Sequence, residues 1–159
     1  MPNTESQADR PRTWVLPPAP YVLAWLAAWW LERRGHGLSL ALGAAARPVA
    51  WLLAGAGLAL FAWTLATFWR HHTTVNPYKG AAELCTGGPF AYSRNPIYVG
   101  DWFIYLGLAA GLQSAWPLVF APLVWFIVRY GVIRHEEAHL EAKFGDAYRA
   151  YRARVRRWL

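Results

Sequence analysis

The chain has 159 residues, enough for one compact domain, and 56% of them are hydrophobic while only 16% are charged. With its 13 glycines the apolar share reaches about 64%, above the roughly 45–50% of average soluble domains. Together with eleven tryptophans and one cysteine, this excludes a disordered tail and a secreted disulfide scaffold. The net charge of +7 is typical of a membrane protein with basic flanking segments.

Four apolar stretches predict an all-α, polytopic integral membrane protein with about four transmembrane helices. The first helix is expected at 20–34 and the second at 48–69, whose length corresponds to about 33 Å of helix. The stretches at 97–112 and 115–133 are separated by two residues and predict an antiparallel helical hairpin. Buried helices of a soluble bundle are the alternative, but the sequence offers no long amphipathic helix to cover them.

The positions of the basic residues predict the orientation. With four spans and both ends on one side, thirteen of the 16 Lys and Arg residues fall on that side, which is then cytoplasmic. We expect a single membrane domain at 1–159, with a polar tail at 1–13 that has no signal-peptide pattern. Two spans follow at 14–69. The region 70–159 holds a loop, the hairpin and a cytoplasmic C-terminal helix.

The loop before the third stretch carries the first candidate site and reads TGGPFAYSRNPIYVG. Gly87-Gly88-Pro89 allows a tight turn, and Asn95-Pro96 is typical of a helix start with Asn as the N-cap. A well-formed entry into the third span would explain these residues. Alternatively, Arg94 between Tyr92 and Tyr98 could bind an anionic or zwitterionic ligand.

The tail after the fourth stretch begins with a sequence that has two functional interpretations. His135, Glu136 and His139 fit H-E-x-x-H, the zinc-protease signature, although a catalytic zinc needs a third protein ligand. In the other interpretation Glu136 and Glu137 are the functional pair, because carboxylates beside a membrane span must face water or bind a positive group. A solvated charged helix end is the third possibility.

The Glu pair is expected to lie beside two basic residues. Arg129 precedes Glu136 by seven residues, so both should fall on nearly one face of an α-helix. Arg129, Arg134 and the two glutamates are therefore expected to line one pocket with the Gly-rich loop. Such a pocket suits a polar, cationic cofactor with an aromatic base.

Loop and tail together resemble the integral-membrane methyltransferases that include isoprenylcysteine carboxyl methyltransferase and the phospholipid methyltransferases. The shared pattern is G-x-Y/F-x-x-x-R-H/N-P-x-Y-x-G, a hydrophobic hairpin, and E-E-x-x-L-x-x-x-F-G-x-x-Y-x-x-Y. The resemblance covers residues 70–159. The matching residues are Gly88, Phe90, Arg94, Asn95, Pro96, Tyr98 and Gly100, then Glu136, Glu137, Leu140, Phe144, Gly145, Tyr148 and Tyr151.

The resemblance implies S-adenosylmethionine as methyl donor, no metal, and a lipid-like or isoprenylated acceptor. The residues implied for cofactor binding are Leu84, Cys85, Gly88, Phe90, Tyr98, Gly100, Glu136 and Glu137. The resemblance implies that Arg94 and Asn95 shape the pocket or approach the acceptor, and they are the candidate catalytic residues. Arg129, Asp101 and Tyr92 are candidates for contact with the acceptor because of their positions, and Asp101 is not part of the shared pattern. Asn95 stands where the isoprenylcysteine and phospholipid enzymes usually have His, and an asparagine cannot serve as a general base.

The sequence is also compatible with two other functions: a membrane zinc protease, and a non-enzymatic membrane scaffold that would tolerate Glu136→Ala. The expected partners are membrane lipids and a lipophilic methyl acceptor, and not nucleic acid, because the basic residues flank apolar spans. Two chains could pair through Gly55 and Gly57. The expected location is a bacterial inner membrane, with both termini and the site in the cytoplasm.

Overall fold

The structure is a computed structural model that describes residues 13, 15–70 and 83–159. This part of the chain is helical, as predicted, and Ser39 and Ser114 form an isolated β-bridge. Short 3₁₀ turns precede two of the helices, at Gly43–Ala45 and Gly88–Ala91. The α-helices are α1 (Ala19–Arg33), α2 (Ala46–Arg70), α3 (Pro96–Leu112), α4 (Trp116–Val128) and α5 (Arg134–Arg154).

The helix boundaries agree with the predicted stretches to within a few residues, because prolines mark most helix starts. α1, α3 and α4 each carry a proline in the first two helical positions, where the missing N–H costs nothing. The first turn of α3 differs from the prediction in one respect. Asn95 occupies the N-cap position, but its side chain makes no capping hydrogen bond.

Two helices are long and apolar enough to cross a bilayer, Gly43–Arg70 and Trp116–Arg154, while α3 is apolar but shorter. Only 11% of the most apolar stretch of the first is buried within the protein, unlike the core helix of a soluble protein. Trp51, for example, is 78% exposed. Exposed apolar surface on this scale is typical of contact with lipid. Four spans and the cytoplasmic orientation stay predictions.

The helices α2 and α3 pack closely through glycines. A Cβ on Gly57 would lie 2.7 Å from the carbonyl oxygen of Gly100, and one on Gly107 would lie 3.0 Å from that of Ala50. Small residues allow helix backbones to approach in this way. Gly57 is therefore covered within the chain and is not available for the expected pairing of two chains, whereas Gly55 faces open space. The pairing itself stays a prediction.

One end of the bundle is closed by the predicted short connection between α3 and α4. Gln113 adopts the left-handed conformation, with φ of 52°, and its carbonyl accepts a hydrogen bond from the Leu40 N–H at 2.7 Å. The hydroxyl of Ser114 donates to Glu32 at 2.6 Å. These contacts tie the α1–α2 connection to the turn, and leave the opposite end for the Gly-rich loop.

α4 continues into α5 through a π-helical turn at Arg129–Ile133, so that the three segments form one 39-residue helix. Its apolar part is 116–133, and α5 lies beyond it. The expectation that Arg129 and Glu136 share a face assumed an unbroken α-helix and does not hold, because a π turn changes the residue spacing. Arg129 stacks on Trp125 and Tyr130 and, in the part of the chain that the structure describes, forms no ion pair with Glu136.

Candidate functional site

The Gly-rich loop is held against α2 and α5 by a buried aromatic cluster. Tyr148 and Tyr151 of α5 pack with Cys85 and Phe90 of the loop, and the Tyr151 hydroxyl donates to the Phe90 carbonyl at 2.8 Å. The Phe90 ring also lies 5.2 Å from that of Phe68 in α2. Burial raises the pKa of the Cys85 thiol, which keeps it protonated. The cluster fixes the loop in place.

Gly88 makes the tight turn that the sequence predicts. Its φ is +59°, a conformation that favours glycine, and a Cβ at this position would lie 2.7 Å from the Thr67 Oγ1. The N–H of Phe90 then donates to the Gly87 carbonyl at 3.1 Å, which closes the 3₁₀ turn. The absence of a side chain at Gly88 therefore allows the loop backbone to lie close to Thr67 of α2.

A second glycine directs the tyrosines of α5 toward the loop. Gly145 has φ of 51° and ψ of −122° inside α5, so the helix kinks there. Tyr148 and Tyr151 lie just beyond the kink and are both buried. The F-G-x-x-Y-x-x-Y pattern thus acts as a bend followed by two anchoring side chains.

Glu137 lies between two arginines. Arg157 donates from Nε to Glu137 Oε1 at 3.0 Å and from Nη2 to Oε2 at 2.6 Å, and Arg94 Nη2 lies 3.1 Å from Oε1. The Glu137 side chain is only 9% exposed. Two guanidinium groups compensate the burial of this carboxylate, so Glu137 holds the loop, α5 and residue 157 together. We call this arrangement the Arg94–Glu137–Arg157 clamp.

The segment after α5 completes the clamp by docking on residues 93–95. The Asn95 Nδ2 donates to the Arg157 carbonyl at 3.0 Å, and the Ser93 hydroxyl donates to the same oxygen at 3.3 Å. The Arg94 N–H donates to the Arg156 carbonyl at 3.0 Å. Asn95 is buried and uses its amide to anchor this segment, which explains why it does not cap α3.

Glu136 has different hydrogen-bond partners from the adjacent Glu137. One carboxylate oxygen, Oε1, accepts a hydrogen bond from the Tyr98 hydroxyl at 2.8 Å. Burial raises the pKa of Glu136 to about 7, the Tyr98 hydrogen bond lowers it, and the charge of Glu137 raises it. Among the described residues, Oε2 of Glu136 has no hydrogen-bond or ion-pair partner. Glu136 is thus the member of the pair that can still bind a ligand.

A basic cleft of about 220 Å³ opens beside the clamp. Its lining residues are Arg129, Tyr130, Arg134 and Arg157. The sequence predicts that Arg129 and Arg134 share a pocket, and the structure brings these two together. The two glutamates and the Gly-rich loop, expected in the same pocket, do not line this cleft. Arg157 connects the cleft to Glu137.

The remaining predicted site residues are spread over three environments. Leu84 packs against the aromatic cluster, and Gly100 lies at the crossing of α2 and α3. Tyr92 is 67% exposed and its ring lies 6.1 Å from that of Trp63. Asp101 is half-buried on α3, three residues after Tyr98 and so on the same face. The structure therefore groups Arg94, Asn95, Tyr98, Glu136 and Glu137, but not Tyr92 or Gly100. The roles assigned to all these residues stay predictions.

Arg157, in the basic run 149–157, is not among the residues that the sequence predicts for the site. Arg157 lies beyond the end of α5, and its ion pair joins residues 20 positions apart. The E-E-x-x-L-x-x-x-F-G-x-x-Y-x-x-Y motif ends before Arg157 and does not predict such a contact.

The zinc-protease interpretation needs a third ligand near His135 and His139. In residues 13, 15–70 and 83–159, no group of three or more His, Cys, Asp or Glu side chains is arranged to hold a metal ion. Glu136, the base in that interpretation, bonds to Tyr98.

The fold and the site together define an all-helical protein with membrane-type helices, whose Gly-rich loop and Glu pair meet at one end of the bundle. The phospholipid methyltransferase family model matches residues 46–147. The protein-S-isoprenylcysteine O-methyltransferase of Schizosaccharomyces pombe is 37% identical over 73 residues, or 45% of this chain and 30% of the yeast protein. An uncharacterized protein of Haemophilus influenzae is 40% identical over 58 residues, or 36% of this chain and 82% of that protein. No solved structure gives a significant match.

Because the family model spans well over half of the chain, the chain belongs to the phospholipid methyltransferase family. This confirms the resemblance based on the loop and the tail. The chain spans less than a third of the yeast relative's length.

Proposed function

We propose that this chain is an S-adenosylmethionine-dependent methyltransferase that acts at the membrane on a lipid-like acceptor, an isoprenylated carboxylate or a phospholipid amine. Family membership supports the reaction class. The observation that carries the proposal is the contrast within the Glu pair. Glu137 is saturated by Arg94 and Arg157, whereas Glu136 keeps one carboxylate oxygen available at the end of an apolar helix.

The residues present fit this cofactor. S-adenosylmethionine supplies a methyl group on a sulfonium centre, which is transferred by in-line displacement, so alignment is the main task of the protein. Glu136 would accept hydrogen bonds from the amino group or the ribose hydroxyls, with Tyr98 orienting its carboxylate. Leu84, Cys85, Gly88 and Phe90 would form the loop side of the site, held rigid by the aromatic cluster.

Arg94 and Asn95 are positioning residues in this proposal. Arg94 acts through Glu137, and Asn95 acts through the Arg157 carbonyl. Asn95 has no base function, since its amide already donates a hydrogen bond and cannot accept a proton near neutral pH. A carboxylate acceptor needs no base, whereas an ammonium acceptor must first lose a proton. Asp101, on the Tyr98 face of α3, is the carboxylate best placed to meet the acceptor.

Calorimetric titration of the detergent-purified protein with S-adenosylmethionine and its demethylated product tests the cofactor assignment. We expect binding by the wild type, and an affinity about tenfold lower in Glu136→Gln, because a charge-assisted hydrogen bond is lost. Glu141→Gln is the matched control, since Glu141 lies on the same helix and pairs with the exposed Arg152. Its affinity should equal that of the wild type.

Absence of binding at millimolar ligand would overturn the proposal, as would equal effects of the two Gln variants. Transfer of a labelled methyl group into a total lipid extract, or into a farnesylated cysteine analogue, then distinguishes the two acceptor classes. A scaffold would transfer no label to either and would tolerate Arg94→Ala.

A further inference from the structure

The basic cleft contains a buried guanidinium nitrogen that has no hydrogen-bond partner among the described residues. Arg129 and Arg134 have no carboxylate partner in the part of the chain that the structure describes, and the Arg129 Nε is buried without a hydrogen bond. Arg157 uses Nε and Nη2 on Glu137, which leaves Nη1. Among the described residues that line the cleft, none is acidic. Several guanidinium donors around a space of this size match a phosphate group.

The Arg129 guanidinium is already held in place. Its Cζ lies 4.8 Å from the centre of the Trp125 ring and 5.6 Å from that of Tyr130. Stacking on aromatic rings satisfies the face of a guanidinium and leaves its N–H groups, which lie in the plane, for a ligand. The π turn brings Arg129, Tyr130 and Arg134 to one cleft, and such turns occur often at functional sites.

An apolar stripe on the outer face of α4 leads to this cleft. Val119, Leu123 and Phe126 follow each other at helical spacing and are all more than half exposed. The Phe126 ring lies 4.7 Å from that of Tyr130, which lines the cleft. An acyl chain along the stripe would therefore end with its headgroup at the arginines.

We propose that the cleft of Arg129, Tyr130, Arg134 and Arg157 binds the phosphate of an anionic phospholipid whose acyl chain lies along the outer face of α4. Basic pockets at the edge of membrane helices suit such headgroups. The site goes beyond the proposed function, because an anionic lipid can occupy it without accepting a methyl group. Through Arg157 the bound phosphate contacts the clamp that holds Glu137.

Native mass spectrometry of the full chain in neutral detergent tests this site. The probes are a dioleoyl phosphatidylglycerol and a dioleoyl galactosyl lipid, which has the same chains and no phosphate. We expect about tenfold higher retention of the phosphatidylglycerol, which corresponds to one or more charged hydrogen bonds. Arg129→Gln combined with Arg134→Gln should reduce its retention to the level of the galactosyl lipid.

The matched control removes two arginines that also stack on tryptophans, at the other end of the bundle. Arg33 and Arg34 lie 5.1 and 5.0 Å from the rings of Trp29 and Trp30, and the double Gln variant there should retain the phosphatidylglycerol like the wild type. If the variant with both Arg129→Gln and Arg134→Gln does not fold, Arg134→Gln alone should lower retention of the phosphatidylglycerol several-fold. The Arg134 side chain is exposed, so this single substitution should not disturb the fold.

Three results would overturn the inference: equal retention of the two lipids, full retention by a folded Arg129 and Arg134 variant, or displacement of the lipid by excess inorganic phosphate. The last would identify a site for a soluble anion. Lipid retention without methyl transfer would contradict only the proposed function.

Discussion

At the scale of single residues, the Glu136 carboxylate explains how pH should act on this protein. Burial raises its pKa to about 7, while the Tyr98 hydroxyl stabilises the ionised form. Below that pH the group is neutral and cannot attract a cation. The affinity for S-adenosylmethionine should therefore fall as the pH falls through about 7.

Tyr98→Phe should move this midpoint to higher pH, because it removes the hydrogen bond that lowers the Glu136 pKa. Calorimetric affinities on either side of pH 7 measure the shift. Tyr105→Phe is the control, since the Tyr105 hydroxyl donates to the Pro117 carbonyl at 2.7 Å and makes no contact with Glu136. An unchanged midpoint in Tyr98→Phe would rule out Glu136 as the titrating group.

The sequence predicts the identity of the site residues better than their tasks. Arg94, Glu136 and Glu137 can be selected from the motif, because adjacent charges beside an apolar span need partners. The motif cannot distinguish the two glutamates, since their difference depends on Tyr98 and Arg157, which are 38 and 20 residues away. Contacts over such distances depend on the packed fold, not on local spacing.

At the scale of helices, the crossing of α2 and α3 is sensitive to a single methyl group. Gly57→Ala would place a Cβ 2.7 Å from the Gly100 carbonyl oxygen and 2.8 Å from the Ile104 Cγ1. We expect a loss of about 1–3 kcal/mol in the free energy of unfolding, since the helices must separate. Thermal unfolding in detergent, followed by circular dichroism, measures the change.

Gly55→Ala is the control on the same helix. Nothing lies within 4 Å of a Cβ at this position, so the substitution should be neutral or stabilise by up to about 1 kcal/mol through helix propensity. If the two alanine variants unfold at the same temperature, the close approach at Gly57 does not contribute to stability.

The helices were predictable because apolar runs and prolines define them locally. α1 to α4 appear within a few residues of the expected stretches. The π turn at Arg129–Ile133 was not predictable, because arguments from periodicity assume 3.6 residues per turn throughout. The wrong prediction concerned only one helical turn. Its consequence is that Arg129 and Arg134 share a cleft with Arg157, whereas the sequence predicts a pocket shared with the two glutamates.

At the scale of the whole molecule, the Arg94–Glu137–Arg157 clamp joins three distant parts of the chain. Arg157→Ala would leave the buried Glu137 with Arg94 alone. We expect a loss of about 1–3 kcal/mol, because a buried charge loses its bidentate partner. The melting temperature and the affinity for S-adenosylmethionine should both decrease.

Arg149→Ala provides the comparison on the same basic run. Its ion pair with Asp146 is exposed, and exposed pairs contribute about 0–1 kcal/mol. The clamp would lose its assigned role if the two variants had equal melting temperatures. Tryptophan fluorescence during heating gives an independent readout of the same transition.

The π turn also constrains how relatives of this protein can vary in length. Each residue of an α-helix advances the chain by about 100° around the axis. Inserting or deleting one residue within Arg129–Ile133 would therefore turn Glu136 away from Tyr98 and Glu137 away from its arginines together. The number of residues in this turn should therefore be under selection in addition to the identity of Arg129 and Tyr130, which line the cleft.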